Sequence, residues 1–441
     1  MTGDLLSIAS SGTRAARAAI DLTAQNIANA DTQGYVRRTL DRAELTATEG
    51  PGGTKGALSG VRIVGTARAV DTLRQADMRR TASDAARSAV QLQALQDIEG
   101  AIADTQPFEG VVAFEASLRR LAIDPRNEAL HIAATGAAET MAASFNLAAA
   151  RLEEIDDAAR TALEIGSREV ATAALSLAKL NSALARVPTG SDGHAALLDQ
   201  RDVLLGTIAQ QVGVHIALNE DGQAEVRVGS ADGAVLVTGV TAAQFETGTD
   251  ANGRPIFTVD GLPVEPTAGQ LAGHVGTMQA VADARGDLDA AADRITELVN
   301  TAQASGVTPA GDPGTDVLAG SGAAGIHILP KTGAHFATDA PDGGDGVNLR
   351  ELVTAFETEG AAQAVGDLAL RISVRVSEHG TTHDALEAIA AGTRALVDKQ
   401  SGVNLDSEAA DLVRFQQAFQ ASGRVMQVAT TLFDTLLGVG R

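Results

Sequence analysis

Heptad-spaced seams lie near both ends of the chain, and they limit what it can fold into. Leu5, Ile8, Gly12, Ala15, Ala19, Leu22, Asn26 and Asn29 follow alternating steps of three and four. Leu412, Phe415, Phe419, Ser422, Met426, Ala429, Phe433 and Leu436 do the same. Such spacing keeps one stripe of each helix turned toward a partner. The first seam is thin, made mostly of Ala and Gly, and the second is bulky, with Phe, Leu and Met. A thin seam facing a thick one fills space without voids. The two termini are therefore expected to pair as a coiled coil, residues 1–60 with residues 401–441. Neither segment buries its seam alone, and a helix without a packed face is marginal in water. Both ends are expected to stay loose until something assembles around them.

Further seams lie between. One runs from Met141 through Phe145, Ala148, Leu152, Ile155, Ala159 and Ala162 to Gly166. It shifts by one step and continues through Val170, Ala173, Leu177, Leu180, Leu184 and Val187. Pro188-Thr189-Gly190 ends it. A second runs from Val281 through Leu288 and Ile295 to Ala302. Residues 86–104, 111–122, 361–378 and 383–399 also read as helices. Between the long helices, Val212, Val214, Ile216 and Leu218 alternate, and four Asp-Gly or Asn-Gly pairs mark hairpin turns. Residues 305–346 hold 10 Gly and four Pro, which predicts an irregular loop with one short strand at Gly325–Leu329. The predicted fold is mainly α with a small antiparallel β subdomain, an elongated multi-domain rod of long helices. Its parts are the paired termini, a helical rod domain over 61–205, a β insertion over 206–270, a return helix over 271–304, a Gly/Pro-rich loop region over 305–349 and a last helical part over 350–400.

Composition removes several function classes. The chain has no Cys, so disulfides, thiolate metal sites and a Cys nucleophile are excluded. Aromatics are 2% of residues and the net charge is −22, which argues against nucleic-acid binding. The acid is uneven: residues 1–80 carry 11 basic and 8 acidic side chains, leaving −25 on the rest. That pattern suits a near-neutral end packing against copies of itself, with an acidic body in solvent. No apolar run approaches the ~18 residues of a membrane span. The N-terminus lacks the cationic and apolar regions of a cleavable signal peptide.

Candidate chemistry is sparse. His379 and His383 have metal-ligand spacing, but Gly380-Thr381-Thr382 between them reads as a helix break. Asp199-Gln200-Arg201-Asp202, after Asp192-Gly193-His194, reads as local ion pairs rather than a catalytic cluster. Gly343-Gly344-Asp345-Gly346 lacks the context of a phosphate loop. No cofactor, metal or enzymatic activity is expected. Asn26 through Arg38 differs in kind: amides sit on the seam, Gly34 is placed to cap the helix in the left-handed region, and Tyr35, the lone Tyr, is followed by Val36-Arg37-Arg38.

That segment, with Asn26, Asn29, Thr32, Gly34, Tyr35 and Arg37, resembles the N-terminal signature of the axial proteins of the bacterial flagellum, the rod and hook families. Ser401 through Ala410, then Leu412, Phe415-Gln416-Gln417-Ala418-Phe419 and Phe433-Asp434-Thr435-Leu436-Leu437, looks like the C-terminus of the flagellar hook-associated protein 1 family, the first hook–filament junction proteins. Leu197-Leu198-Asp199-Gln200-Arg201-Asp202 is similar to the same family. Phe415 and Phe419 depart from it, standing where members often carry Tyr, and the chain is short for the family.

The resemblance implies a non-catalytic protein of the extracellular flagellum, exported by the flagellar secretion system without a cleaved signal peptide. It implies a ring of copies between hook and filament, touching hook protein on one side and a second junction protein on the other. It also implies an export chaperone on the C-terminal helix, with no nucleic acid bound and no membrane insertion. The assembly residues would be Leu5, Ile8, Ala15, Ala19, Leu22, Asn26, Asn29, Gly34 and Tyr35 at the N-terminus. At the C-terminus they would be Leu405, Leu412, Phe415, Phe419, Met426, Phe433 and Leu436, shared with the chaperone. Another axial protein, from hook or distal rod, is the alternative, and a metal-dependent enzyme a remote one. Limited proteolysis of the monomer is expected to remove roughly residues 1–50 and 400–441 first, leaving a resistant body; termini as protected as the body would contradict assembly-coupled ordering.

Overall fold

The structure, a computed structural model, describes residues 2–45, 60–329, 336–341 and 345–439. The chain opens with α1 (Thr2–Ala28) and a hairpin of β1 (Arg38–Leu45) and β2 (Gly60–Arg68). Four helices follow: α2 (Thr72–Thr105), α3 (Pro107–Ile123), α4 (Glu128–Leu184) and α5 (Asp192–Gln211). The next seven strands are β3 (Val214–Leu218), β4 (Ala224–Val228), β5 (Val235–Thr238), β6 (Thr241–Ala242), β7 (Phe245–Thr249), β8 (Pro255–Val259) and β9 (Leu262–Val264). Then come α6 (Gly269–Ser305), β10 (Leu318–Ala319), α7 (Gly322–Gly325) and β11 (His327–Ile328). The chain closes with α8 (Val347–Glu359), α9 (Ala361–Ser401) and α10 (Leu405–Val439).

Local chemistry starts the long helices where they start. The Asp71 carboxylate accepts from the Leu73 and Arg74 amides, and the Asn127 and Ser191 side chains cap α4 and α5. The 57 residues of α4 span about 85 Å at ~1.5 Å each. Its buried stripe follows the seam to Ala159, then steps by four to Leu163 and by three to Gly166. Two successive steps of four form a stutter, which relaxes the left-handed supercoil. The stutter falls at Leu163, not after Gly166 as the seam predicts, and Ala162 is half-buried.

The stutter is where α4 changes partners. Its first half packs with α3, α8, the first part of α9 and the second half of α6 around Phe114, Phe145, Phe336 and Phe356. Its second half packs with α5 and the start of α6 against two antiparallel sheets, ordered β3-β4-β5-β6 and β7-β8-β9. Val226 and Val237 face this second core, with the Phe245 and Phe257 rings 6.1 Å apart.

Several sequence expectations are corrected. The β1–β2 ladder runs from Arg38 opposite Arg68 to Leu45 opposite Gly60, so a boundary at 60 splits one hairpin. The boundary at 205 cuts α5, which continues to Gln211 because Ile208 and Ala209 bury against α4 and the sheet, and the boundary at 349 cuts α8. α9 shows no break at Gly380: Thr381 and Thr382 donate to Ser377 O and Glu378 O within the helix. The reason is tertiary. Ile372, Val376, His379, His383, Leu386, Ala390, Thr393 and Val397 form one unbroken buried or half-buried heptad stripe. It meets α2 in an antiparallel register, Thr81 Oγ1 lying 2.8 Å from Thr393 Oγ1, and packing overrides local preference. His379 and His383 thus belong to a helix–helix seam.

The described part of the Gly/Pro-rich region is fastened into the first core. Val317, Leu318, Ala323, Ile326 and Phe336 are buried there. Asn300 bonds the backbone of residues 317 and 318, Asp289 and Asp293 accept from the first amides of α7, and Asn348 donates to Ala337 O. The predicted strand at Gly325–Leu329 is two residues long and pairs with β10. Gly343 and Gly344 lie outside the described residues; Gly346 precedes α8 with a left-handed φ of 68°.

Gly273 and Gly286 separate close packing from helix propensity. A Cβ on Gly273 would lie 2.7 Å from the Val90 Cβ, while Gly286 has nothing within 4 Å. Gly286→Ala should stabilise the chain by about 0.5–1 kcal/mol, and Gly273→Ala should destabilise it by about 1–3 kcal/mol. Denaturant unfolding of both variants reads the signs, and a shared sign would refute this packing.

Candidate functional site

The two terminal helices pair with each other in the single chain. A Cβ on Gly12 would sit 3.0 Å from the Ser422 hydroxyl, and Asn26 Nδ2 donates to Glu408 Oε2 at 3.0 Å. Both contacts fit one antiparallel register. Carried along the helices, it sets Leu22 opposite Leu412, Ala19 opposite Phe415, Ala15 opposite Phe419 and Ile8 opposite Met426. Thin positions thus face bulky ones. Ala15, Ala19, Leu22 and Ala429 are buried, and Leu412, Phe415 and Met426 half-buried. Within the single chain each end supplies the other's partner. Exposure remains where that pairing leaves apolar surface open: Leu5, Ile8, Leu405, Phe419 and Phe433 are all more than a third exposed. The Leu436 side chain lies outside the described residues.

Asn26 is the polar point of the seam and is 2% exposed. Its amide nitrogen also donates to Arg38 O at 2.9 Å. Its oxygen accepts from the Tyr35 hydroxyl at 2.8 Å and the Arg38 amide at 3.0 Å. Both donors and both acceptor sites are filled, as a buried amide requires. Asn29 is half-buried at the helix end, bonded to Gln25 O and Thr32. Gly34 is not the helix cap, since α1 ends at Ala28. It sits in the following turn with φ +80°, where a Cβ would come within 2.4 Å of Val203. Tyr35 is half-buried with the Arg38 guanidinium 5.0 Å from its ring, and burial raises its pKa.

Behind this turn lies a charged layer on α5. Asp199 accepts from Arg38 Nη2 at 3.1 Å and Arg68 Nε at 2.8 Å. Asp202, three residues on and on the same helix face, accepts from Arg68 Nη2 at 2.7 Å and Arg201 Nη2 at 2.6 Å. Arg201 Nη1 reaches Gly222 O at 2.6 Å, in the β3–β4 turn. The two carboxylates therefore tie both hairpin strands to the helical body and the first sheet. Arg37 completes the link, its amide donating to Ser401 O at 2.8 Å and its guanidinium 3.7 Å from Glu408. Sequence reasoning placed the Asp pair in local contacts and missed Arg68. The available signal was two carboxylates on one helical face with a single neighbouring Arg, a set that needs cations from elsewhere.

Among the described residues no group of His, Asp and Glu is arranged to hold a metal ion, and no helix is long and apolar enough to cross a membrane. The arrangement positions helices.

Residues 92–318, more than half of the chain, match the flagellar hook-associated protein FlgK helical domain. The chain belongs to the FlgK family. Residues 6–35 match the flagella basal body rod protein family, and residues 397–439 match the C-terminal domain of the flagellar basal body rod FlgEFG proteins. These two matches fall on α1 with its turn and on α10. The chain is 24% identical over 549 aligned positions to flagellar hook-associated protein 1 of Escherichia coli K12, covering 99% of each chain. It is 24% identical over 497 positions to the protein of that name from Bacillus subtilis 168, covering 97% and 96%. A solved structure of the flagellar hook junction protein FlgK from Burkholderia pseudomallei shares the fold, with a TM-score of 0.50 and 19% identity over 56% of this chain and 47% of that one. As a FlgK-family chain it is a structural protein of the bacterial flagellum.

The charged layer makes an asymmetric prediction. Burial alone raises the pKa of Asp202, but Arg201 and Arg68 outweigh it and leave it lowered. For Asp199 burial outweighs Arg68 and Arg38, and the pKa is raised. A lowered pKa stabilises the fold above the ordinary carboxylate value, and that stability is lost as pH falls through the folded value. A raised pKa contributes below the ordinary value and loses its contribution as pH rises through the folded one. At pH 7, Asp202→Asn should cost about 3–5 kcal/mol, and Asp199→Asn less. Removing Asp199 should also steepen the loss of stability on acidification. Urea titrations between pH 7 and pH 3 test both, and equal costs with parallel pH profiles would contradict the assignment.

Proposed function

We propose that the chain is a non-catalytic junction subunit, assembling as a ring that connects hook to filament. The observation that carries this reading is the paired termini. α1 and α10 fill each other's seams, yet Phe419, Val425, Val428, Leu432 and Phe433 on α10 stay 39–59% exposed. Val425, Val428 and Leu432 share one side of α10 and Phe419 and Phe433 lie along the seam, and exposed apolar surface of that length supports a docking role. Neighbouring copies and other axial subunits cover it in the inner tube, with hook protein on one side and the second junction protein on the other. The helical body forms the next layer and the β sheets face outward. The FlgK-domain match over residues 92–318 favours this over a hook or distal-rod protein.

The same helix serves before assembly. An export chaperone covers roughly residues 405–437, and the chain leaves through the flagellar secretion system without a cleaved signal. The thin α1 seam lets the pair approach closely and slide, so the ring accommodates a bending hook and a stiffer filament.

A strain lacking the chain should make hooks without filaments and release flagellin into the medium. Restoring it with Ala15→Leu and Ala19→Leu should leave motility impaired, because both positions are buried against bulky partners. The isolated variant should keep its body folded by circular dichroism. Normal swimming by the double variant would refute the paired-termini mechanism, and filaments in the deletion strain would refute the junction role.

A further inference from the structure

A cleft between α2, β2 and the β3–β4 corner holds a cation with no hydrogen bond or ion pair among the described residues. It has a volume of about 640 Å³ and is lined by Arg68, Arg79, Arg201, His194 and Glu220, with Leu73 and Leu198 among its apolar wall. Arg68 and Arg201 are occupied by Asp199, Asp202 and Gly222 O. Arg79 is 7% exposed, its Nε has no hydrogen-bond partner, and it makes no hydrogen bond or ion pair within 4 Å among the described residues.

A buried guanidinium without a partner is strongly unfavourable, and such groups are otherwise paired. Burial holds Arg79 below the usual guanidinium range; Asp202 opposes the shift and Arg201 adds to it. The cleft lining sets Arg68, Arg79 and Arg201 beside Glu220, and Arg68 and Arg201 are already paired with Asp199 and Asp202, so Arg79 is the lining guanidinium left without an ion pair among the described residues. Leu73, 78% exposed, forms an apolar lip at one side. Guanidinium groups in a partly dry cleft are matched to oxyanions.

We propose that this cleft binds one oxyanion, a phosphate or a carboxylate, on Arg79. The source is either free inorganic phosphate or an Asp or Glu side chain from the acidic body of a second copy. The site does not depend on the junction reading, since it is complete within one chain.

The test uses the full chain and inorganic phosphate against chloride at matched ionic strength. Phosphate also stabilises folded proteins by exclusion from their surface, so the readout is saturable binding at one per chain by calorimetry. Arg79→Met should weaken it at least about tenfold and should melt no lower than the wild type in chloride. Ala76→Glu places a carboxylate in the same cleft, one turn before Arg79; it should raise the melting temperature in chloride and block phosphate. Absence of saturable binding by the wild type, or binding by Arg79→Met and Ala76→Glu as tight as the wild type's, overturns the site. Sedimentation then separates the sources. Self-association that phosphate disperses in the wild type identifies a neighbour's carboxylate, and sedimentation indifferent to phosphate identifies the free anion.

Discussion

Two carboxylates one turn apart on α5 hold the ends of this chain to its middle. Asp199 and Asp202 meet Arg38 from β1, Arg68 from β2 and Arg201 from their own helix. All of these side chains are nearly buried, so each charge depends on the others for its compensation. The hairpin they anchor carries α1 at one end and leads into α2 at the other. Asn26 then passes the constraint to α10 through Glu408. The placement of the terminal pair relative to the body thus rests on a few polar contacts rather than on a continuous apolar interface.

The body is built differently. Its two cores share α4 and α6, and they are mostly aliphatic, with Phe confined to a few positions. Small residues allow the helices to approach: Gly273 and Gly276 of α6 lie against Val90 and Gln91 of α2. Few aromatics are needed because long helices bury area by length. The stutter in α4 lets one helix serve both cores, turning its stripe from helical partners toward the sheets without a break.

Much of this was legible along the chain. Heptad spacing predicted both terminal seams, and their contrasting bulk predicted that they face one another. The seam of α6 and the sheet region were visible for the same reason: periodicity reports which side of an element is buried. The signature from Asn26 to Arg38 was visible as an oddity, amides where apolar residues were due. Its meaning was not. Asn26 needed four partners, and two of them lie on Arg38 and one on Glu408, residues whose proximity no local pattern encodes. Gly380-Thr381-Thr382 read as a break because local propensity was weighed without the α2 stripe that holds it helical. The region from 305 to 346 read as an irregular loop because glycine and proline mark irregular backbone, and the described part of it is buried where Asn300, Gln303 and Asn348 satisfy its polar groups.

The sequence by itself determined the helical class, the thin and thick seams, the acidic body and the family. These follow from spacing and composition, which are properties of neighbours along the chain. Only the tertiary structure decided the antiparallel register of α1 with α10, the pairing of Arg38 and Arg68 with the α5 carboxylates, and the isolation of Arg79. Those depend on which distant side chains share a buried space, and in such a space every charge and amide must find its partner across the fold or go without.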